Sequence, residues 1–285
     1  MFRFLALLAF SLLPLSACGA GVSYMRNSRV DAGATQVATS IAYGEGERRG
    51  LDVYAPTQAD GVTPVIVFFY GGAWSEGAKA DYAFAGHAFA SRGFVTVVPD
   101  YRVYPEVRFP GFVEDAAKAL KWTQDNIARY GGDPTRIVLV GHSAGAHIAM
   151  LAALDPTYAA ATGFDRSAIR GVAGLAGPYG FDNFNMPLLR NVFGHVSDPM
   201  VVQPRQYVSA DGPPLLLLHG DADRRVPVRS TSYMEAAARE AGESVEAKIY
   251  PGVSHAAILG AVSLAERDAA PVLDDVTEFA RRVTR

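Results

Sequence analysis

The chain has 285 residues, 49% hydrophobic and 19% charged, a balance that belongs to globular proteins and excludes disordered, collagenous and coiled-coil chains. Its formal net charge is −3 and no run of Lys or Arg occurs, so the basic surface that a nucleic-acid partner requires is missing. A single cysteine, Cys18, excludes both a disulfide framework and a Cys-based metal site.

Residues 1–18 read MFRFLALLAFSLLPLSAC. One positive charge, Arg3, precedes an apolar run over 4–15, and the small residues Ser16 and Ala17 follow. The run is shorter than the roughly 20 residues that span a bilayer core, and it fits the apolar region of a secretory signal peptide. Its ending, Leu15-Ser16-Ala17-Cys18, resembles the lipobox of bacterial lipoproteins. That resemblance implies a signal peptide over 1–17 and a lipidated Cys18, because a thiol can take a lipid through a stable thioether. The location implied is the bacterial cell envelope, lipid-anchored at the periplasmic face or the outer membrane. Several acyl chains, at about 0.8 kcal/mol per buried methylene, hold such a protein firmly on a membrane. Residues 18–35 read as a tether outside the fold.

Beyond residue 36, strand and helix signals alternate. Two extended pieces, 37–43 and 50–54, predict an antiparallel edge hairpin. The run VIVFF at 65–69 is continuous, branched and aromatic, as a strand buried on both faces should be. A helix is predicted over 78–91, stopped at Arg92-Gly93, then a strand over 94–98 closed by Pro99-Asp100. A long helix over 112–130 ends at Gly131-Gly132, and RIVLV at 136–140 is the next strand. A small-residue helix follows over 144–154. Strands are predicted at 172–176, 214–218 and 245–250, with helices at 231–241 and 272–283. Short apolar strands separated by helices predict a single α/β domain over 36–285, with a mostly parallel sheet covered on both faces.

Gly141-His142-Ser143-Ala144-Gly145 satisfies G-x-S-x-G and falls between a predicted strand and a predicted helix. Glycine at both flanks permits the tight strand-to-helix turn that exposes a serine hydroxyl. Serine is a poor nucleophile unaided and needs a general base, itself held by an acid. The strand at 214–218 runs into Asp221 and Asp223, and the strand at 245–250 runs into His255. Parallel sheets gather ligands at the carboxyl ends of their strands, so Ser143, a carboxylate and His255 converge on one edge. Spacing leaves both Asp221 and Asp223 open as the acid.

With these residues in place, the chain resembles the α/β-hydrolases of the hormone-sensitive-lipase-like carboxylesterase group. The likeness extends to that group's isoprenylcysteine-methylesterase-like and feruloyl-esterase-like branches. Asp100-Tyr101-Arg102, Tyr130-Gly131-Gly132-Asp133-Pro134 and the stretch GHSAGAH at 141–147 carry it, and it covers the chain from about 37 to 279. The H-G-x-x-D-x-x-V-P pattern at 219–227 implies Asp223 as the acid. The loop Tyr70-Gly71-Gly72-Ala73-Trp74 is similar to the group's H-G-G-G/A-W loop, which implies Gly72 and Ala73 as oxyanion donors beside the Ala144 amide. Tyr70 stands where that loop usually has histidine.

The resemblance implies a serine carboxylesterase that works through an acyl-enzyme, needs no cofactor or metal, and takes a small ester as substrate. Rivals are an arylformamidase, a small serine peptidase of the same fold, or a catalytically silent envelope binding protein. Candidate substrate contacts are Tyr70, Trp74, His142, Phe181 and Phe184. For His142 and His147, packing or local hydrogen bonding is the simpler reading. His219 is expected to bond a backbone group. The insertion over 177–213, rich in Phe and Leu and interrupted by proline, predicts a short apolar lid that admits short acyl chains.

Overall fold

VIVFF and RIVLV become the middle of one eight-stranded sheet, with every apolar side chain of the two runs buried. A computed structural model describes residues 23–59, 61–180 and 184–285. Residues 1–17, read from the sequence as a signal peptide, Cys18 and Phe181 lie outside the described residues. The strands are β1 (Ala34–Ala42), β2 (Gly50–Pro56), β3 (Thr63–Phe69), β4 (Val95–Pro99), β5 (Gly132–His142), β6 (Ile169–Leu175), β7 (Leu215–Gly220) and β8 (Val245–Tyr250). Their order across the sheet is β1-β2-β4-β3-β5-β6-β7-β8. The β1–β2 and β2–β4 pairs are antiparallel and every other pair is parallel. The expected edge hairpin is therefore present, and helices join the parallel strands.

Register decides where the site forms. Phe69 pairs with Gly141, so the loop after β3 and the turn after β5 leave the sheet at the same level. Gly220 pairs with Tyr250, which brings the loops after β7 and β8 out side by side. The helix Ala144–Leu154 is buried along its whole length, as its all-round small and apolar sequence requires.

Three differences from the sequence-based expectations have physical reasons. Residues 23–35 do not behave as a tether over their described part. Residues 23–27 form a helical turn, Arg26 is buried, and β1 already begins at Ala34. The polar side chains that suggested a tether are instead committed to specific partners: Arg26 to Glu266, Asp31 to Arg267 and Asn27 to the Phe84 amide. Strand β6 starts three residues early, at Ile169, and runs through Gly171 and Gly174. A side chain at Gly174 would run into the Tyr179 hydroxyl, so the glycines that weakened the strand signal serve close packing. Two short helices, Pro156–Thr162 and His255–Gly260, were not anticipated. The first has a readable start, since Asp155 accepts from the Thr157 amide and proline stands at the first helical position. The second is too short for a periodic signal.

The 177–213 insertion, in its described part, carries a helix over Pro187–Phe193 and a 3-10 turn at Pro204–Gln206. Val192, Phe193 and Val202 are buried against the body of the domain.

Candidate active site

Ser143 sits at φ 53° and ψ −121°, a strained backbone for a residue with a side chain. Its flanking glycines allow that turn. A Cβ on Gly141 would overlap the Gly145 carbonyl, and one on Gly145 would overlap the carbonyls of Phe69 and Tyr70. The Ser143 amide donates to the Leu175 carbonyl at the end of β6 at 2.9 Å, which fixes the turn to the sheet.

The structure brings Ser143, His255 and Asp223 into one hydrogen-bonded chain. His255 Nε2 lies 2.9 Å from Ser143 Oγ, and His255 Nδ1 lies 2.6 Å from Asp223 Oδ2. A carboxylate only accepts, so Nδ1 carries the proton and Nε2 is left to accept from the serine hydroxyl. Burial pushes the Asp223 carboxyl up, but hydrogen bonds from His219, His255 and the Val226 amide outweigh it and hold the group well below the usual carboxylate range. Asp221 plays a different part. Its Oδ1 accepts from the Gly252 amide at 2.6 Å, tying the two loops together.

Gly71 to Trp74 pass directly over the serine. A Cβ built on Gly71 would stand 3.2 Å from the Ser143 Cβ. Gly72, Ala73 and Trp74 all have positive φ, at 134°, 51° and 57°, a backbone conformation rare for residues with side chains. Two turns, from the Ser75 and Glu76 amides to the Gly72 carbonyl at 2.9 and 3.0 Å, hold that shape. Ala144 opens the following helix, so its amide has no acceptor one turn back. The amides of Gly72, Ala73 and Ala144 make no backbone hydrogen bond among the described residues.

Residues 51–237 match the BD-FAE family. The chain belongs to the BD-FAE family. Residues 195–284 also match the prolyl oligopeptidase family, over the part that carries Asp223 and His255. This BD-FAE chain is 34% identical over 245 residues to the isoprenylcysteine alpha-carbonyl methylesterase ICME of Arabidopsis thaliana, covering 77% of this chain and 56% of that protein. It is 34% identical over 245 residues to Esterase LipQ of Mycobacterium tuberculosis, covering 78% of this chain and 58% of the relative. The chain thus spans little more than half the length of these relatives. Among solved structures, the butyrate-bound esterase Est2 of Thermogutta terrifontis superposes with a TM-score of 0.71 at 26% identity, over 88% of this chain and 95% of that one. The fold is that of the α/β-hydrolase esterases.

Tyr70 is a correction within the BD-FAE site. Expected to contact substrate, its side chain is instead fully buried behind the loop. Its hydroxyl donates to Asp100 Oδ1 at 2.7 Å, and its ring stacks between Tyr82 and Tyr101, with centroids 5.0 and 4.5 Å away. The Tyr101 hydroxyl donates to the Tyr70 carbonyl at 2.6 Å, and Asp100 Oδ1 also accepts from the Lys79 amide at 2.6 Å. Asp100 and Tyr101 therefore brace the loop from below, and tyrosine fills the position where histidine is usual. Sequence reasoning marks the D-Y-R stretch only as a likeness. An acid beside a tyrosine, closing a buried strand, was the available signal for support.

His142 is committed to its neighbour. Its Nε2 donates to the His255 carbonyl at 3.1 Å and its ring lies 4.8 Å from the His255 ring. Burial, then the His255 imidazole beside it, pushes His142 down to about 3, so it stays neutral. His219 bonds a backbone group as expected, the Val226 carbonyl at 3.0 Å, and accepts from Thr231 Oγ1 at 2.8 Å. It also lies 3.2 Å from Asp223 Oδ2, a contact to the acid that no sequence signal announces.

Trp74 and Phe184 meet in an aromatic wall. Trp74 packs edge-on against Phe193 at 4.9 Å, and Phe184 stacks on Phe193 at 5.8 Å. Trp74 Nε1 donates to His147 Nδ1 at 3.3 Å, while His147 Nε2 donates to the Val202 carbonyl at 2.7 Å. The loop after β3, the helix Ala144–Leu154 and the insertion are thereby linked through one buried imidazole, which burial pushes down to about 4 and keeps neutral.

Proposed function

We propose that this chain is a serine carboxylesterase that hydrolyses short-chain carboxylic esters through an acyl-enzyme. The observation that carries the reading is the Ser143–His255–Asp223 chain, with its 2.9 and 2.6 Å spacings, beside the positive-φ loop of Gly72, Ala73 and Trp74. Ser143 Oγ attacks the ester carbonyl carbon as its proton passes to His255 Nε2. The carbonyl oxygen becomes an oxyanion held by the amides of Gly72, Ala73 and Ala144. Collapse breaks the carbon–oxygen bond to the leaving alcohol, which departs with the proton from His255. Water then gives a proton to His255 and attacks the acyl carbon, and collapse breaks the bond to Ser143 Oγ, which takes the proton back from His255 as the acid leaves. Asp223 keeps Nδ1 protonated throughout and stabilises the imidazolium. The esterase relatives support this reading.

The short-chain preference rests on the aromatic wall. Phe193 packs against Trp74, the residue after Ala73, and its ring lies 6.0 Å from Phe112 and 5.9 Å from Phe109. That the structural neighbour Est2 is solved with butyrate bound supports a short-chain preference. We expect kcat/KM on p-nitrophenyl esters to peak at acyl chains of about two to six carbons, since each methylene left outside forfeits roughly 0.8 kcal/mol of burial. Phe193→Ala should move the maximum to longer chains. A native maximum at about twelve carbons or beyond would contradict the short-chain reading.

The match of residues 195–284 to the prolyl oligopeptidase family favours a second reading, a serine peptidase. One hydrolysis screen across esters, aryl formamides and peptides separates the readings, and turnover confined to esters is the outcome expected.

The membrane part of the proposal rests on Leu15-Ser16-Ala17-Cys18. Processing before Cys18 and its lipidation would place the esterase on the bacterial envelope. Mass spectrometry of the protein from its native host should find a lipidated N-terminal Cys18, and an unmodified start elsewhere would exclude the anchor.

A further inference from the structure

His255 stands at the first position of a helix only six residues long, so its placement depends on what holds that backbone. Side-chain contacts close to His255 do so. Ser254 Oγ accepts from the Ala257 amide at 3.3 Å, His142 Nε2 donates to the His255 carbonyl at 3.1 Å, and Arg26 Nη2 donates to the Ala256 carbonyl at 3.1 Å. The third comes from the far end of the sequence. Arg26 is 6% exposed, and its guanidinium also forks onto Glu266, at 2.8 Å from Nε to Oε1 and 3.0 Å from Nη2 to Oε2. A Cβ at Gly260 would overlap Glu266 Oε2 and stand 2.7 Å from Arg26 Nη2, so the helix end is shaped to admit this pair. Asp31 grips Arg267 through two contacts of 2.8 Å, and Asn27 bonds the Ala80 carbonyl at 2.8 Å and the Phe84 amide at 2.9 Å.

We propose that Arg26 is a positioning residue for His255, and that residues 23–33 form a strap fastening the base-bearing helix at the distance Ser143 requires. Attachment of an N-terminal turn alone does not call for a buried charge, because apolar contacts achieve it with less desolvation. A planar fork adds direction: two of its donors fix Glu266 and one of these also fixes the carbonyl next to the base. The inference rests on the esterase reading above, in which His255 is the proton carrier.

The test uses the full chain with Arg26→Ala, Arg26→Lys and Glu266→Gln, and follows p-nitrophenyl butyrate hydrolysis well below each variant's melting temperature. Misplacement of a catalytic group by about 1 Å can cost about 100-fold. We expect Arg26→Ala to lower kcat by about 10- to 100-fold with KM changed by less than about threefold, and Arg26→Lys, which keeps the charge but loses the fork, to fall between. The rate of phosphonylation of Ser143 by an ester phosphonate should fall by the same factor, because it draws on the same base. A merely structural role would lower the melting temperature and leave kcat of the folded fraction in place. If Arg26→Ala does not fold, Arg26→Lys and Glu266→Gln decide. Folded variants with kcat within about twofold of the native chain overturn the proposal. A native chain that hydrolyses no ester overturns the esterase reading instead.

Discussion

Ser143→Ala should lower kcat/KM on p-nitrophenyl butyrate by about 10⁴-fold or more, and the melting temperature should not fall. In the proposed mechanism the hydroxyl is the atom that bonds to the acyl carbon, and alanine offers nothing in its place. The strained backbone, φ 53°, is imposed by Gly141, Gly145 and the bond from the Ser143 amide to Leu175, and none of these depends on the side chain. The residual rate should reflect the Gly72, Ala73 and Ala144 amides, which in the proposed mechanism still polarise the carbonyl. Alanine removes a partner only from His255, whose other contact, to Asp223, remains.

Asp223→Asn should cost about 10⁴-fold in kcat, whereas Asp221→Asn should leave turnover within about threefold. Asparagine can offer its amide hydrogens to His255 Nδ1. That favours the imidazole with its proton on Nε2, which cannot accept from Ser143. The amides of Arg225 and Val226, which now donate to Asp223 Oδ1 at 2.8 and 2.9 Å, can still donate to an asparagine oxygen, so the loop keeps its shape. Asp221 holds the Gly252 amide on the exposed side of the turn, away from the imidazole. Steady-state kinetics of the two variants beside their melting curves check this. The reverse ranking would mean that Asp221, not Asp223, is the acid.

The sheet and the meeting of Ser143, an aspartate and His255 at one edge were legible because their signals are local. VIVFF and RIVLV can only be strands buried on both faces. Ser143 between a strand and a helix, with carboxylates and His255 after later strands, follows from α/β topology. What spacing left open was which aspartate meets His255. The answer lies in the loop geometry after β7, where the Arg225 and Val226 amides wrap Asp223. Tyr70 reads as a pocket residue in the sequence because a one-dimensional pattern does not say which way a side chain turns. Its aromatic neighbours, Tyr82 and Tyr101, come from other segments. The strap at 23–33 was hidden for a related reason. Its stretch of Ser, Asn, Arg and Asp has the composition of a tether, and only partners far along the chain, Ala256, Glu266 and Arg267, reveal that it is docked.

The central claim is that Ser143 attacks the substrate carbonyl with His255 as its base. Incubation of the full chain with a p-nitrophenyl alkylphosphonate, followed by peptide mass mapping, tests it most directly. The expected result is one phosphonyl adduct, on Ser143, formed in step with loss of esterase activity, absent in Ser143→Ala and strongly slowed in His255→Ala. An adduct on another residue, or modification of Ser143→Ala at the native rate, would contradict it.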